Sequence, residues 1–277
     1  SLERTPAFRI FVFAMTHTPP LKTSAAPAWD GLPMPRRLWA IVAVAFGVSL
    51  SVIDGAIANV ALPTIGRELG ISEADSIWIV NAYQLAIMVS LLSFSALGDV
   101  VGYRKIYLGG LALFTLASVG CACSYSFATL VLTRVLQGFG AAAVTSVNTT
   151  LIRNIYPRAQ LGRGMGINAT VVAVSAVAGP TLAAAILSVA SWPWLFAVNI
   201  PVGVTAFVLS RRYLPQNPVL VRDHRFDWRD GVLNALTFGL LIASIEGFSH
   251  GLDPRLIAFG VAALLLIGFF FVRRQLR

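Results

Sequence analysis

Two ionisable residues stand in stretches that otherwise hold almost none. Asp54 lies within the apolar run 39–62, and Arg134 within the apolar run 127–150. An ionised side chain deep in hydrocarbon costs at least about 2.5–3.5 kcal/mol on insertion scales, so each needs a partner or a task. A carboxyl beside a guanidinium is pulled two ways: the cation favours its charged form, and desolvation its neutral one. Such a group can exchange a proton on a small rearrangement. A purely structural ion pair is the plainer alternative. Amides cluster in the same stretches. Asn59, Gln84, Gln137 and Asn148 are candidates for lining a substrate cavity, with Asn81 and Asn168 nearby. Taken singly, each reads as an interhelical hydrogen bond. Other chemistry finds no support. His17, His224 and His250 are far apart in sequence and form no zinc pattern. Cys121 and Cys123 are two apart, so on a helix their side chains diverge. No nucleophile–base pair or phosphate loop stands in the apolar runs. Neither an enzyme, a metal nor a cofactor is expected.

The elements that must position these residues follow from the apolar runs. There are eight: 39–62, 77–98, 106–123, 127–150, 165–187, 194–210, 231–249 and 255–272. Each can cross a bilayer core of about 30 Å, some with tilt. Asp54 then lies about 5 Å, and Arg134 about 7 Å, to the outer side of its span's centre at 1.5 Å per residue. The deep acid and the deep base share one level. Glu246 lies a turn from the outer end of the seventh run, within reach of the interface. Residues 1–37 read as a polar leader, of which 1–14 precede Met15 and need not be native.

Composition agrees. Of 277 residues, 57% are hydrophobic and 12% charged, with mean hydropathy +0.76. That is too little charge to cover a soluble domain of this size. The net charge of +9 sorts by side. With a cytoplasmic N-terminus, 18 of the 21 Lys and Arg fall inside, only Arg67 and Arg255 outside, and Arg134 within a span. This positive-inside pattern places both termini in the cytoplasm of a plasma-membrane protein. The basic excess therefore orients the chain, and nucleic acid is not needed to explain it. Trp39, Trp78, Trp192 and Trp194 sit at span ends as interfacial anchors.

Two connections carry glycine. Gly98 to Lys105 joins the second and third spans as a tight turn, with Gly102 suited to positive φ. Asp99 is expected to cap the next helix or to pair with Arg104 or Lys105. In the fifth span, Gly179-Pro180 loosens the backbone ladder, and small residues at 175, 179 and 183 permit close helix approach. A static kink and a moving hinge both fit.

The ordered set resembles the major facilitator superfamily, and within it the drug:proton antiporters with fourteen transmembrane helices. The residues that carry the resemblance are Asp54-Gly-Ala-Ile-Ala-Asn59-Val-Ala-Leu-Pro63, Leu97-Gly-Asp99-Val-Val-Gly102-Tyr-Arg104-Lys105, Arg134-Val-Leu-Gln137-Gly138-Phe-Gly140-Ala-Ala, and Ser175 to Ala184 around Gly179-Pro180. Trp192-Pro-Trp194-Leu-Phe-Ala-Val-Asn199-Ile-Pro201-Val-Gly203 is similar to the start of that branch's sixth helix. Departures are Ser95 for glycine and Val100 for a basic residue in the loop, Ser175, Ala183 and Ala184 for glycines, and Pro193 for arginine.

The resemblance implies an all-α integral membrane protein. A six-helix N-terminal bundle over 38–210 would be followed by a cytoplasmic loop, 211–229, and two further transmembrane helices with a basic tail, 230–277. It implies proton coupling at Asp54 and Arg134, a conformational latch of Asp99, Gly102, Arg104 and Lys105, and gating at Gly179 and Pro180. The expected function is proton-driven efflux of a small-molecule substrate across the lipid bilayer. A full member has a second six-helix half, so the chain reads as a truncated member or as half of a split transporter. A membrane assembly or regulatory protein that does not transport is the competing class.

Overall fold

The computed structural model describes residues 30–216. Among them, six helices are long and apolar enough to cross a membrane, and there is no strand. The first, α1 (Arg36–Leu69), is stopped by Gly70 in the left-handed conformation, φ 64°, which a glycine adopts without steric cost. A short helical turn, Glu73–Ser76, follows; its N-cap Ser72 accepts from the Asp75 backbone N–H at 3.0 Å. Next come α2 (Trp78–Val101) and α3 (Tyr103–Ala122), separated by Gly102 alone at φ 106°. α4 (Phe127–Ile155) starts at a capping box of Ser126 and Thr129 and ends before Pro157, which holds Tyr156 extended. α5 (Leu161–Leu187) carries Gly179 and Pro180 inside it. A turn at Pro193–Ala197 leads, through a break at Val198, into α6 (Asn199–Tyr213).

These helices coincide with the first six apolar runs to within a few residues, except that α1 runs on past Pro63. The runs 231–249 and 255–272, Glu246, the loop beyond Gln216 and the leader up to residue 29 lie outside the described residues.

α4 is the central post, packed along α2 on one side and α3 on the other, while α1 packs on α5 and α6. Two apolar cores form. One gathers Leu50, Tyr83, Tyr107, Leu111, Phe114 and Val144 toward the end where α1 begins. The other gathers Ile57, Ile65, Ile79, Leu130, Leu195 and Phe196 toward the opposite end. Asp54 falls between Leu50 and Ile57, and Arg134 follows Leu130 by one turn, so a polar layer separates the two cores. α5 is peripheral: only Gly164, Ser175, Gly179 and Ala183 are buried along its length.

Candidate functional site

Small residues bring the site's elements together. A Cβ added at Gly138 would stand 2.6 Å from the Tyr83 carbonyl oxygen, and one at Gly140 would stand 2.5 Å from the Phe114 backbone nitrogen. α2 and α3 therefore touch the α4 backbone on two sides. Arg134, one turn toward the start of α4, is carried into the middle of the bundle by that contact.

There Arg134 and Asp54 are both fully buried and form an ion pair, Nη1 donating to Oδ2. The same Nη1 donates to Gln137 Oε1 at 2.7 Å, and Nε donates to the Ile79 carbonyl on α2 at 3.1 Å. Gln137 Nε2 donates to Asp54 Oδ1 at 2.9 Å and to Ser118 Oγ on α3, also at 2.9 Å. Asn199 Nδ2, from the first residue of α6, donates to the same Asp54 Oδ1 at 2.7 Å. The guanidinium lies over the Tyr83 ring, 4.1 Å from its centroid, and 5.5 Å from that of Phe196. Tyr83 in turn donates to the Ser51 carbonyl on α1 at 2.9 Å. Three helices, α1, α4 and α6, thus meet at the carboxylate, and Arg134 and Gln137 extend the network to α2 and α3. A carboxylate, with two oxygens that each accept more than one hydrogen bond, suits this donor set.

The remaining candidates scatter around this layer. Gln137, expected to line a cavity, is fully buried and bridges the charge pair to α3. Asn148 is also buried and donates to Asn168 on α5 at 3.0 Å, tying α4 to α5. Asn59 and Gln84 lie on the bundle's surface, and Asn59 donates back to Gly55 of its own helix at 3.0 Å. In the loop, Asp99 accepts from the Tyr103 hydroxyl, and Arg104 donates to the Arg211 carbonyl on α6. Asp99 thus accepts from the first residue of α3, while Arg104 ties α3 to α6. Around Gly179-Pro180 in α5, a Cβ on Gly179 would stand 2.5 Å from that of Ala56, and Ser175 donates to Ser49 at 2.9 Å. Cys121 is buried and Cys123 exposed, with no disulfide between them. Among the described residues, no cluster of side chains suits a metal ion.

Sequence reasoning missed Asn199, Ser118 and Tyr83 as members of the site. Asn199 had a signal, since it stands inside the run 192–203 that carried a resemblance. Ser118 and Tyr83 had none: a serine in an apolar helix most often bonds its own backbone, as Ser118 also does to the Phe114 carbonyl, and a tyrosine there reads as core packing.

A charged layer sealed between apolar cores, within six spanning helices, defines a multi-pass helical membrane protein. The Major Facilitator Superfamily model matches residues 44–274, and the chain belongs to that family of transporters. It is 57% identical over 247 residues to the uncharacterized transporter YebQ of Escherichia coli K12, covering 89% of this chain and 54% of that protein. The putative multidrug resistance protein MdtD of Salmonella typhi is 35% identical over 233 residues, covering 82% and 49%. The riboflavin transporter RibZ of Clostridioides difficile is 34% identical over 192 residues, covering 69% and 42%. The chain therefore spans about half the length of these relatives. The fold matches, with a TM-score of 0.55 and 18% identity, the crystal structure of a bacterial homologue of the human lysosomal transporter Spinster, inward-facing and unoccupied. That match covers 77% of this chain and 52% of the other.

Proposed function

We propose that this chain forms the proton-coupling half of an efflux antiporter for small amphipathic compounds, in the plasma membrane with both termini cytoplasmic. The reading rests chiefly on the Asp54 network. Three donors from α4 and α6 converge on its carboxylate, one of them the Arg134 cation. A proton on Asp54 removes the negative charge that assists all three ties and leaves the Arg134 guanidinium without its counter-ion, so the ties weaken together. Proton arrival then loosens α1 from α4 or α6, the kind of release that rocking between two halves around a central site requires. The latch of Asp99, Gly102, Arg104 and Lys105 and the Gly179-Pro180 step are assigned supporting roles in that motion. Asn59, Gln84 and Asn148 are assigned to the substrate path.

The substrate class is drawn from two sources. A groove of about 320 Å³ between α1 and α5 is lined by Val42, Phe46, Ser49, Thr170, Val174 and Ser175, apolar with scattered hydroxyls and no charge. MdtD, a relative, carries the name of a multidrug resistance protein. The test is ethidium efflux from membrane vesicles driven by an imposed proton gradient, with the chain expressed in its complete reading frame. Asp54→Asn and Arg134→Ala are each expected to slow efflux by at least about tenfold, as for groups needed in the coupled step. Rates unchanged in both would overturn the proposed roles. Riboflavin is run in parallel because of RibZ; movement of riboflavin without ethidium would overturn the substrate class while leaving the coupling site standing.

A further inference from the structure

The beginning of α3 and the end of α6 form a groove of about 510 Å³ that shares Arg104 and Lys105 with the proposed latch and to which the transport reading assigns no ligand. It is lined by Arg104, Lys105, Leu108, Phe207, Arg211 and Gln216. Arg104 donates to the Arg211 carbonyl and holds the two walls together. Lys105 and Leu108 are three residues apart on α3, and Phe207 and Arg211 four apart on α6, so each pair shares a helix face. Each wall therefore carries a cation at the helix end and an apolar side chain about one turn, roughly 5 Å, deeper. Lys105 and Arg211 are exposed, while Leu108 and Phe207 are half-buried. Among the described residues, no acidic side chain lines the groove. Two residues beyond Arg211, Tyr213 stacks on Trp39 with centroids 5.7 Å apart. An aromatic pair of this kind, at the end of two spanning helices, marks the headgroup level of a bilayer.

We infer that this groove binds an anionic phospholipid, its phosphate between Lys105 and Arg211 and its acyl chain along Leu108 and Phe207. Charge over apolar surface at the headgroup level matches a phosphodiester over an alkyl chain. A free phosphate ion would leave the apolar floor unused, and a zwitterionic lipid would place its own cation among these. Each cation near an anionic lipid surface contributes about fivefold to binding, so two contribute about 30-fold.

The test titrates the delipidated full chain, in neutral detergent, with short-chain phosphatidylglycerol and with phosphatidylcholine of equal chain length. Phosphatidylglycerol is expected to bind at least about tenfold more tightly, on the same per-cation arithmetic. Lys105→Gln with Arg211→Gln is expected to remove that preference, and Lys105→Arg with Arg211→Lys to keep it. Arg153→Gln with Arg163→Gln alters exposed cations outside the groove and is expected to keep it too. Thermal unfolding in the same detergent checks that all variants fold. The inference is overturned if the groove variant retains the preference. It is equally overturned if the Arg153 and Arg163 variant loses the preference, which would make it a property of the whole basic end. Competition by millimolar inorganic phosphate as effective as that by the lipid would overturn the lipid assignment in favour of a bare phosphate site. Equal binding of both lipids by the unaltered chain would overturn it outright.

Discussion

At Asp54 the arithmetic of donors and acceptors governs what each neighbour is worth. A hydrogen bond to a charged group contributes about 1.5–3 kcal/mol, and a buried charge stripped of its partner costs about 3–5 kcal/mol. Arg134→Met leaves the carboxylate buried without its cation, and Asp54→Leu leaves the guanidinium without its anion. Each is expected to cost about 3–5 kcal/mol, and the double variant less than their sum, because no orphaned charge remains. Thermal or denaturant unfolding in detergent micelles measures this cycle; strict additivity would mean that the pair contributes no coupling. Asn199→Ala removes one donor to the same carboxylate and is expected to cost about 1.5–3 kcal/mol. Asn59→Ala, whose amide only returns to Gly55 of its own helix, should stay within about 0.5 kcal/mol. Equal effects from Asn59 and Asn199 would remove Asn199 from the site.

Helix packing decides which of these residues could be read in the sequence. Depth along a span follows from 1.5 Å per residue, and it put Asp54 and Arg134 at one level, where the structure pairs them. Direction around the helix does not follow. Asn59 is five residues beyond Asp54, about 140° round the axis, and so faces away. Gln84 is one step from the buried Tyr83 and is exposed. In a membrane bundle the lipid-facing and core-facing sides are both apolar, so hydropathy has little periodicity with which to set rotation. The small residues carry that information instead. Gly138, Gly140 and Gly179 each mark the face on which a neighbour's backbone or Cβ arrives. Gly140→Val would drive its side chain into the Phe114 backbone, 2.5 Å from the new Cβ, and is expected to abolish the folded fraction in detergent. Gly109→Ala, within α3, meets nothing within 4 Å and should instead stabilise by about 0.5–1 kcal/mol through helix propensity. Gel-filtration profiles and unfolding temperatures separate the two. A folded, monodisperse Gly140→Val protein would contradict the packing described for α3 against α4.

Across the whole bundle the charges divide by end. Arg36, Arg37, Arg104, Lys105, Arg153, Arg158, Arg163, Arg211 and Arg212 lie at or near the helix ends where α1, α3 and α5 begin and α2, α4 and α6 finish. Arg36 donates to the Tyr213 carbonyl and Arg37 to Gln160, which confirms that these termini share one end. At the other end stands Arg67, beside Glu68, Glu73 and Asp75. A bilayer orients a chain by its Lys and Arg, and the proposed orientation puts the basic end on the cytoplasmic side. The two cysteines report on this directly, because they are the chain's only thiols and both lie at the acidic end. Cys123 is exposed at the end of α3, and Cys121 is sealed beside Thr133 and Gln137. A membrane-impermeant maleimide added to intact cells, spheroplasts where an outer envelope intervenes, is expected to label the chain once, at Cys123. Cys123→Ser should abolish the labelling. A cysteine placed at Lys105 in the Cys123→Ser background should react only after the membrane is permeabilised. The reverse pattern, with Cys123 silent until permeabilisation and position 105 labelled in intact cells, would invert the bundle and with it the direction in which a proton would reach Asp54.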